Sequence, residues 1–381
     1  MANSFIIPAS ITYGPRALTQ AAATIARMGS KALIVTDHMM GELGNLKKLT
    51  DVLDDSRVAW AVYDAVNSEP TDMMVERGIS TFRNECCDFI IALGGGSPID
   101  TMKAIAMCVS TGRAIASFMG ELFEGPICPM VAIPTTAGTG SEATKFTIIT
   151  DTVNDVKMLI AGTSLMPSLA IVDPEFTRTA PASVTAATGV DALCHAIEAY
   201  TSRKAQPMAQ TFALSAAKRI LSYLERCVLA PDDIEARTQM SIAATEAGIA
   251  FNNSSVTIIH GMSRPIGALF HIPHGLSNAI LMEECLTFAL DGAYDRFAEI
   301  ARYCDVSQSR NDEEAARHLI GAVHHLLRAI QIPSLEDCGV DRIEFERKIN
   351  KMAHDAEESG SPANTLKAVT ITDMCTIYRN L

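Results

Sequence analysis

Hydrophobic and polar positions in the first half of the chain follow two alternating rhythms. Short apolar runs at Lys31 to Thr36 (KALIVT), Asp88 to Leu93 (DFIIAL), Met130 to Pro134 and Leu169 to Val172 are spaced among stretches at helical period, Ala17 to Met28 and Thr71 to Arg83. Val58 to Tyr63 reads as another strand, and Phe5-Ile6-Ile7 and Ile11-Thr12-Tyr13 as two short ones parted by Pro8. Runs that are apolar at nearly every residue predict strands covered on both faces, and their alternation with helices predicts a parallel sheet. From about Thr179 alanine, leucine and charged residues recur at helical spacing through 185–202, 206–226, 232–250, 291–302, 312–330 and 341–353. The pattern therefore predicts an α/β domain over 1–180 and an all-α helical domain over 181–381.

Composition narrows the function. The 381 residues are 48% hydrophobic and 20% charged, which fits two folded domains and excludes extensive disorder. A formal charge of −13 disfavours a surface that binds nucleic acid or an anionic membrane. The start, MANSFIIPASITYGP, has neither the basic nor the apolar character of a targeting segment, and no run approaches the roughly 20 apolar residues of a membrane span. Ten scattered cysteines, with only Cys86 and Cys87 adjacent, suit reduced thiols and a cytoplasmic protein.

Two loops carry candidate nucleotide chemistry. The strand ending at Leu93 runs into Gly94-Gly95-Gly96-Ser97-Pro98-Ile99-Asp100. Ser97 suits an N-cap, Pro98 the first helical position and Asp100 a capping box, so a helix is expected to begin there with its amides open to a pyrophosphate. The same residues also fit an ordinary tight turn, and GGGS is not the G-x-G-x-x-G fingerprint. A second polar loop, Thr135, Thr136, Gly138 and Thr139, follows the strand at 130–134. Asp37 at the end of an early strand is placed to accept from a ribose 2′-hydroxyl and to repel a 2′-phosphate, which favours NAD over NADP. Asp37 precedes the glycines instead of following them, so the order of parts differs from the usual dinucleotide fold.

The second half carries candidate metal chemistry. In TAATGVDALCHAIEAY, Asp191 and His195 are four apart and Glu198 three further on, which puts three possible ligands on one helical face. His260, His271 and His274 fall within fifteen residues, and Gly261, Pro265, Gly267, Pro273 and Gly275 between and beside them are expected to turn the backbone and bring two imidazoles together. One carboxylate with imidazoles suits Fe²⁺ or Zn²⁺ better than Mg²⁺ or Ca²⁺.

IALGGGSPIDTMKAIA, AIPTTAGTGSEAT, LAIVDPEFT, ATGVDALCHAIEAY and HGMSRPIGALFHIPHG together resemble the iron-dependent (group III) alcohol dehydrogenase family, which includes lactaldehyde reductase and 1,3-propanediol dehydrogenase. The resemblance runs from about Tyr13 to about residue 300 and is looser beyond. It implies a Rossmann-like dinucleotide-binding domain, a helical domain of dehydroquinate synthase-like architecture, and a homodimer or larger homo-oligomer. It further implies metal ligands at Asp191, His195, His260 and His274. Cofactor contacts are implied at Asp37, Gly95, Gly96, Ser97, Asp100, Thr135, Thr136, Thr139 and Lys157. The implied reaction is hydride transfer between NAD(H) and a small alcohol or aldehyde, with Fe²⁺ or Zn²⁺ as Lewis acid.

The chain departs from the family pattern at three places. Arg264 stands where a histidine thought to relay the alcohol proton is usual, and His271 is a candidate to replace it. Glu69 stands for the usual Asn or Asp before Pro70, and Asn364-Thr365 for an Asn-Pro-Arg pattern. Arginine is no base near neutral pH, and its charge needs an anion. That anion is either a protein carboxylate such as Glu198 or a carboxylate, sulfonate or phosphonate on the substrate. A polyol dehydrogenase of the glycerol dehydrogenase type and a catalytically silent metal- and nucleotide-binding protein are the alternative readings.

Overall fold

The computed structural model describes residues 2–154 and 156–381. The chain divides into two compact units, one of Ile6–Thr136 and Gly140–Ala180, the other of Met1–Phe5, Ala137–Thr139 and Pro181–Leu381. The helical unit thus takes two short segments from the first 180 residues.

In chain order the first unit contains β1 (Ser10–Tyr13), α1 (Ala17–Ile25), β2 (Lys31–Thr36), α2 (His38–Glu42), α3 (Asn45–Asp55), β3 (Ala59–Tyr63), α4 (Asp72–Asn84), β4 (Phe89–Gly94), α5 (Gly96–Thr111), β5 (Met130–Pro134), β6 (Phe146–Asp151), β7 (Val156–Ala161) and β8 (Leu169–Val172). Among the described residues, six strands form a parallel sheet in the order β1-β8-β5-β4-β2-β3. Successive residues of each strand feed opposite faces, as the pleat requires. Leu33, Val35, Ile90 and Ala92 pack with Val75 of α4 and Ile99, Met102 and Ile105 of α5. Ala32, Ile34, Phe89 and Ile91 pack with Leu18 and Ile25 of α1 and Leu49 and Leu53 of α3. Helices on both faces explain why these strands are apolar throughout.

The expected strand at Phe5-Ile6-Ile7 does not form. Phe5 instead stacks on Phe212, centroids 5.8 Å apart, so ring burial replaces ladder pairing. The antiparallel β6–β7 hairpin was not anticipated; its strands mix exposed and buried positions, so they do not stand out as apolar runs. Neither was α3, whose polar face breaks up its apolar positions.

The second unit contains α6 (Ala182–Thr201), α7 (Pro207–Leu229), α8 (Ile234–Asn252), α9 (Ile258–Phe270), α10 (His274–Ala289), α11 (Tyr294–Tyr303), α12 (Asp312–Ala329), α13 (Arg342–Glu358) and α14 (Ile371–Asn380). From Thr185 onward α6 is buried at most positions and packs against α7, α8 and α10. Small residues permit this: a Cβ on Gly189 would lie 2.3 Å from Leu224 Cδ1. No described helix is long and apolar enough to cross a membrane.

The segment expected to turn because of Gly261, Pro265 and Gly267 is instead the helix α9, with Pro265 inside it. Proline removes the N–H that would bond the Gly261 carbonyl. Nearby, the Tyr378 hydroxyl of α14 donates to the Met262 carbonyl at 2.6 Å, tying the two helices together. Chain reversal is confined to His271, Ile272 and Pro273, with His271 at φ 56° as the left-handed C-cap.

One buried cation organises the first unit. Lys103 of α5 is fully buried, and its ammonium donates to the carbonyls of Ser141, Thr144 and Phe146 at 2.8 Å and to Thr144 Oγ1 at 2.9 Å. Burial pushes its pKa down to about 8, against the pull of Asp100 and Glu142, so it stays largely charged at neutral pH. Lys103→Met removes the donor these oxygens share, and of them the Ser141 carbonyl keeps the Thr144 amide at 3.3 Å and hydroxyl at 3.2 Å; each oxygen left unsatisfied costs about 1–3 kcal/mol. Urea titration is expected to show a loss of ~3 kcal/mol or more. The folded pKa lies below that of the free side chain, 10.5. The unfolded chain therefore binds more protons between about pH 8 and 10.5, and stability rises with pH across that window. The Met variant should lose this part of the slope; identical slopes would show that Lys103 does not titrate there.

Candidate functional site

α6 presents Asp191, His195 and Glu198 at i, i+4 and i+7, all at most 5% exposed. His260 lies in the first turn of α9, and His274 is the first residue of α10. Tertiary packing brings Asp191, His195 and His260 together, with one ligand atom of each within 4.8 Å of the others. His195 Nε2 lies 2.9 Å from His260 Nε2, and Asp191 Oδ1 lies 3.5 Å from His260 Nε2. His274 stands at the margin, with Nε2 3.8 Å from Asp191 Oδ1 and its side chain 43% exposed.

These atoms fit a divalent cation. Four N/O donors around an ion at 2.0–2.2 Å lie about 3.4 Å apart in a tetrahedron, within the observed spread. A further residue, Asn278, one turn beyond His274 on α10, points Nδ2 at Asp191 Oδ1 (2.6 Å), His260 Nε2 (3.1 Å) and His274 Nε2 (3.3 Å). One amide cannot satisfy three acceptors, whereas a cation can.

Glu198 does not join this group. Its Oε2 takes the Nδ1 proton of His260 in a short hydrogen bond, and Oε1 accepts from Thr257 Oγ1 at 2.8 Å and from the amides of Ile259 (2.7 Å) and His260 (3.4 Å). It therefore caps α9 from another helix and leaves His260 Nε2 facing Asp191 and His195. This is the arrangement by which a carboxylate fixes the tautomer of a metal-ligating imidazole.

The electrostatics follow from this packing. Burial alone would raise the Asp191 carboxyl, but the imidazoles of His195, His274 and His260 outweigh it and hold it well below the usual range. Burial likewise opposes ionisation of Glu198, and His260, Thr257 and the Ile259 amide overcome it. Burial drives His195 down to about 3, so it is a neutral donor. His260 is pulled the other way, to about 9, because Glu198 and Asp191 offset its burial.

Arg264, one turn after His260, has no ion pair among the described residues; its Nη1 donates to Ser361 Oγ at 3.1 Å. Burial lowers its pKa, with Glu198 acting from a distance to raise it. Glu198 is thus not its salt-bridge partner: those oxygens are taken by His260, Thr257 and the start of α9. His271 is exposed beyond the end of α9 and makes no hydrogen bond or ion pair among the described residues.

In the first unit, β2 and β4 are neighbours whose chains depart in opposite directions, β2 towards β3 and β4 towards β5. Nucleotides bind at such a switch point, beyond the carboxyl ends of the strands. Asp37 follows β2, Gly94 ends β4, Gly95 alone separates it from α5, and the Thr135 amide donates to the Gly94 carbonyl at 3.0 Å. Gly94 has φ 159°, and a Cβ there would meet Pro98 Cγ at 2.4 Å; a Cβ on Gly95 would lie 3.4 Å from Thr136 Oγ1. The cap differs from expectation: Gly95 is the N-cap of α5, without a side-chain cap, and Ser97 lies inside the first turn. No capping box forms because Asp100 instead accepts from the Ile148 amide at 3.0 Å. Burial pushes Asp100 up to about 6.

Asp37 accepts from the Met40 amide at 3.2 Å, capping α2, and is raised by its half-burial. Lys157, on β7, pairs with Glu69 at 2.7 Å, which joins two positions noted separately in the sequence. Thr139 belongs to the short segment grouped with the helical unit. Sequence reasoning missed Asn278, Lys103 and Ser361. Only Asn278 left a signal, four residues after His274.

A parallel α/β unit with glycine-rich loops at its switch point fits nucleotide binding, and a helical unit with a buried carboxylate–imidazole cluster fits a metal-dependent enzyme. Residues 8–174 match the model of iron-containing alcohol dehydrogenase, and residues 185–381 that of the C-terminal domain of the Fe-containing alcohol dehydrogenase family. The chain belongs to this family, whose members are oxidoreductases acting on CH–OH groups. It is 36% identical over 384 residues to the NAD-dependent methanol dehydrogenase of Bacillus methanolicus, covering 100% of both chains. A 1,3-propanediol oxidoreductase structure superposes with a TM-score of 0.96 at 32% identity, over 100% of each chain. Sulfoacetaldehyde reductase from Bifidobacterium kashiwanohense in complex with NAD+ gives a TM-score of 0.90 at 29% identity, over 100% of this chain and 99% of that one.

Removing the Glu198 charge should loosen His260. Glu198→Gln is expected to weaken Zn²⁺ or Co²⁺ binding to the purified protein about 10–100-fold, as for other partners of metal-bound histidines. Titration with a competing chelator measures this, and an unchanged affinity would count against the role.

Proposed function

We propose that the protein is an NAD(H)-linked alcohol dehydrogenase or aldehyde reductase. It would use Fe²⁺, or Zn²⁺ in its place, on a small substrate carrying an anionic group near Arg264. The observation that carries the class is the Asp191, His195 and His260 cluster, with His274 at its edge, in a chain of this family. Those four side chains would hold the ion, which as a Lewis acid would lower the pKa of an alcohol or polarise an aldehyde. NAD(H) would exchange the hydride, its pyrophosphate held by the open start of α5 at Gly95, Gly96 and Ser97 and by Thr135, Thr136 and Thr139. Asp37 would take the ribose hydroxyls and disfavour a 2′-phosphate. Asp100 and Lys157 would flank the cofactor from positions where the protein already engages them, and His271 is the candidate for exchanging the alcohol proton with water.

The anionic group follows from charge. Asp191 and Glu198 supply two negative charges, Arg264 one positive, and a divalent ion two more, leaving the local sum at +1. Arg264 has no carboxylate of its own to pair with. A half-buried guanidinium without a counter-charge is costly, and an oxyanion on the substrate would relieve that cost. Ten free cysteines support a cytoplasmic setting, and a homodimer or larger homo-oligomer would follow from what the resemblance to the family implies.

The test compares kcat/KM for sulfoacetaldehyde, succinate semialdehyde and propionaldehyde on metal-reconstituted protein with NADH. Charged aldehydes are expected to be favoured. Arg264→Met should lower kcat/KM for them by about tenfold or more beyond its effect on propionaldehyde. Equal preference in the native protein would overturn the anionic substrate; no turnover with any aldehyde would overturn the enzyme reading.

A further inference from the structure

Arg264 is half of a larger arrangement. Of its five N–H groups, Nη1 alone is engaged among the described residues, by Ser361 Oγ at 3.1 Å. Because Ser361 accepts that bond, its own O–H is left to donate, and it has no acceptor among the described residues. Two adjacent donors, one of them charged, therefore lack an oxyanion. A protein carboxylate would ordinarily fill this place, and the nearest to act electrostatically, Glu198, is already saturated by His260, Thr257 and the Ile259 amide.

Ser361 is held firmly where it meets Arg264. The following residue, Pro362, lies against Gly261 so closely that a Cβ there would be 2.6 Å from the proline ring. Asn364 Nδ2 donates to Ser255 Oγ at 3.0 Å and to the Val256 carbonyl at 3.2 Å, fixing the other end of the turn beside the start of α9. Ser361 is itself 6% exposed. The pair is thus built before any ligand arrives, which spares the ordering cost of binding.

Its position limits what can bind. Arg264 follows His260 by four residues on α9, which puts their Cβ atoms about 5–6 Å apart on one face. A molecule whose hydroxyl or carbonyl oxygen lies at the His260 cluster reaches Arg264 and Ser361 with two or three carbons between that oxygen and its charged group. A single negative charge also balances the local sum of +1, and a second would not.

We infer that Arg264 and Ser361 form one anion subsite, in which Ser361 donates a hydrogen bond beside the guanidinium. The subsite selects short alcohols or aldehydes bearing one monoanionic group, a sulfonate or a carboxylate, over longer chains and dianionic phosphonates. Ser361 is then a specificity-determining residue of the proposed reaction, and the inference rests on the anionic-substrate reading.

The test uses metal-reconstituted protein and NAD+ with 2-hydroxyethanesulfonate, 3-hydroxypropanoate, 5-hydroxypentanoate, 2-hydroxyethylphosphonate and 1-propanol. The first two are expected to have the highest kcat/KM. Ser361→Ala should raise KM for 2-hydroxyethanesulfonate about tenfold to a hundredfold with a smaller effect on kcat, and Ser361→Thr should restore it. Independently of turnover, ethanesulfonate should raise the Tm of the zinc-loaded native protein and of zinc-loaded Ser361→Thr, but raise it less or not at all in zinc-loaded Ser361→Ala and Arg264→Met. If Arg264→Met removes the preference for anions while Ser361→Ala leaves KM and the Tm shift intact, this inference fails and the anionic reading stands. If neither variant changes the preference, both fail. A best substrate among the long or dianionic alcohols overturns the size and charge assignment.

Discussion

The helical unit depends on one buried carboxylate. Glu198 is taken out of water completely, a cost that only several charge-assisted hydrogen bonds can offset, and it gains them from another helix. Three consequences follow from the same contact. The exposed amides at the start of α9 are capped, the His260 ring is fixed, and Nε2 is presented to Asp191 and His195. α6 can carry this load because it is packed with alanine and glycine, which let its neighbours approach closely. A site built on helix faces in this way is held more rigidly than one built on loops.

The same contact explains the consequence of placing an arginine at position 264. With Glu198 committed to His260 and α9, the guanidinium keeps its charge and finds only a serine hydroxyl. Where a histidine would hold or pass a proton, the arginine offers a fixed positive field and forked donors. The arginine thus sets a fixed charge one turn from His260, while Glu198 continues to support that ring.

The α/β unit solves a different problem, that of leaving backbone amides open without letting the loops collapse. Gly94 and Gly95 allow the chains after β4 and β5 to approach closely, and α5 begins without a side-chain cap. The second loop is steadied by Lys103, whose ammonium gathers the carbonyls of Ser141, Thr144 and Phe146. Asp100, adjacent on the same helix, holds the start of β6 through the Ile148 amide. The candidate phosphate loops are therefore bounded by a buried cation and a buried acid.

Much of this was legible in the chain. Strands covered on both faces must be apolar throughout, so β2, β4, β5 and β8 stood out, and helical period marked α6, α7, α8 and α12. The i, i+4 spacing of Asp191 and His195 fixed their common face, since helix geometry alone decides it. Long-range contacts left no such trace. Pro265 and the glycines signalled a turn, yet the bond from Tyr378 and packing against the turn at Pro362 accompany a continuous α9. Glu198 was open to reading as a ligand or as the partner of Arg264, and a helix some 60 residues further on made it neither, taking it as a cap and as the support of His260. Ser361 carried no motif at all. By itself the sequence determined which residue types were available and which neighbours along a helix or strand shared a face, because those depend on local periodicity. Only the tertiary structure decided which donors meet which acceptors, because a buried polar group takes whatever partner packing brings to it.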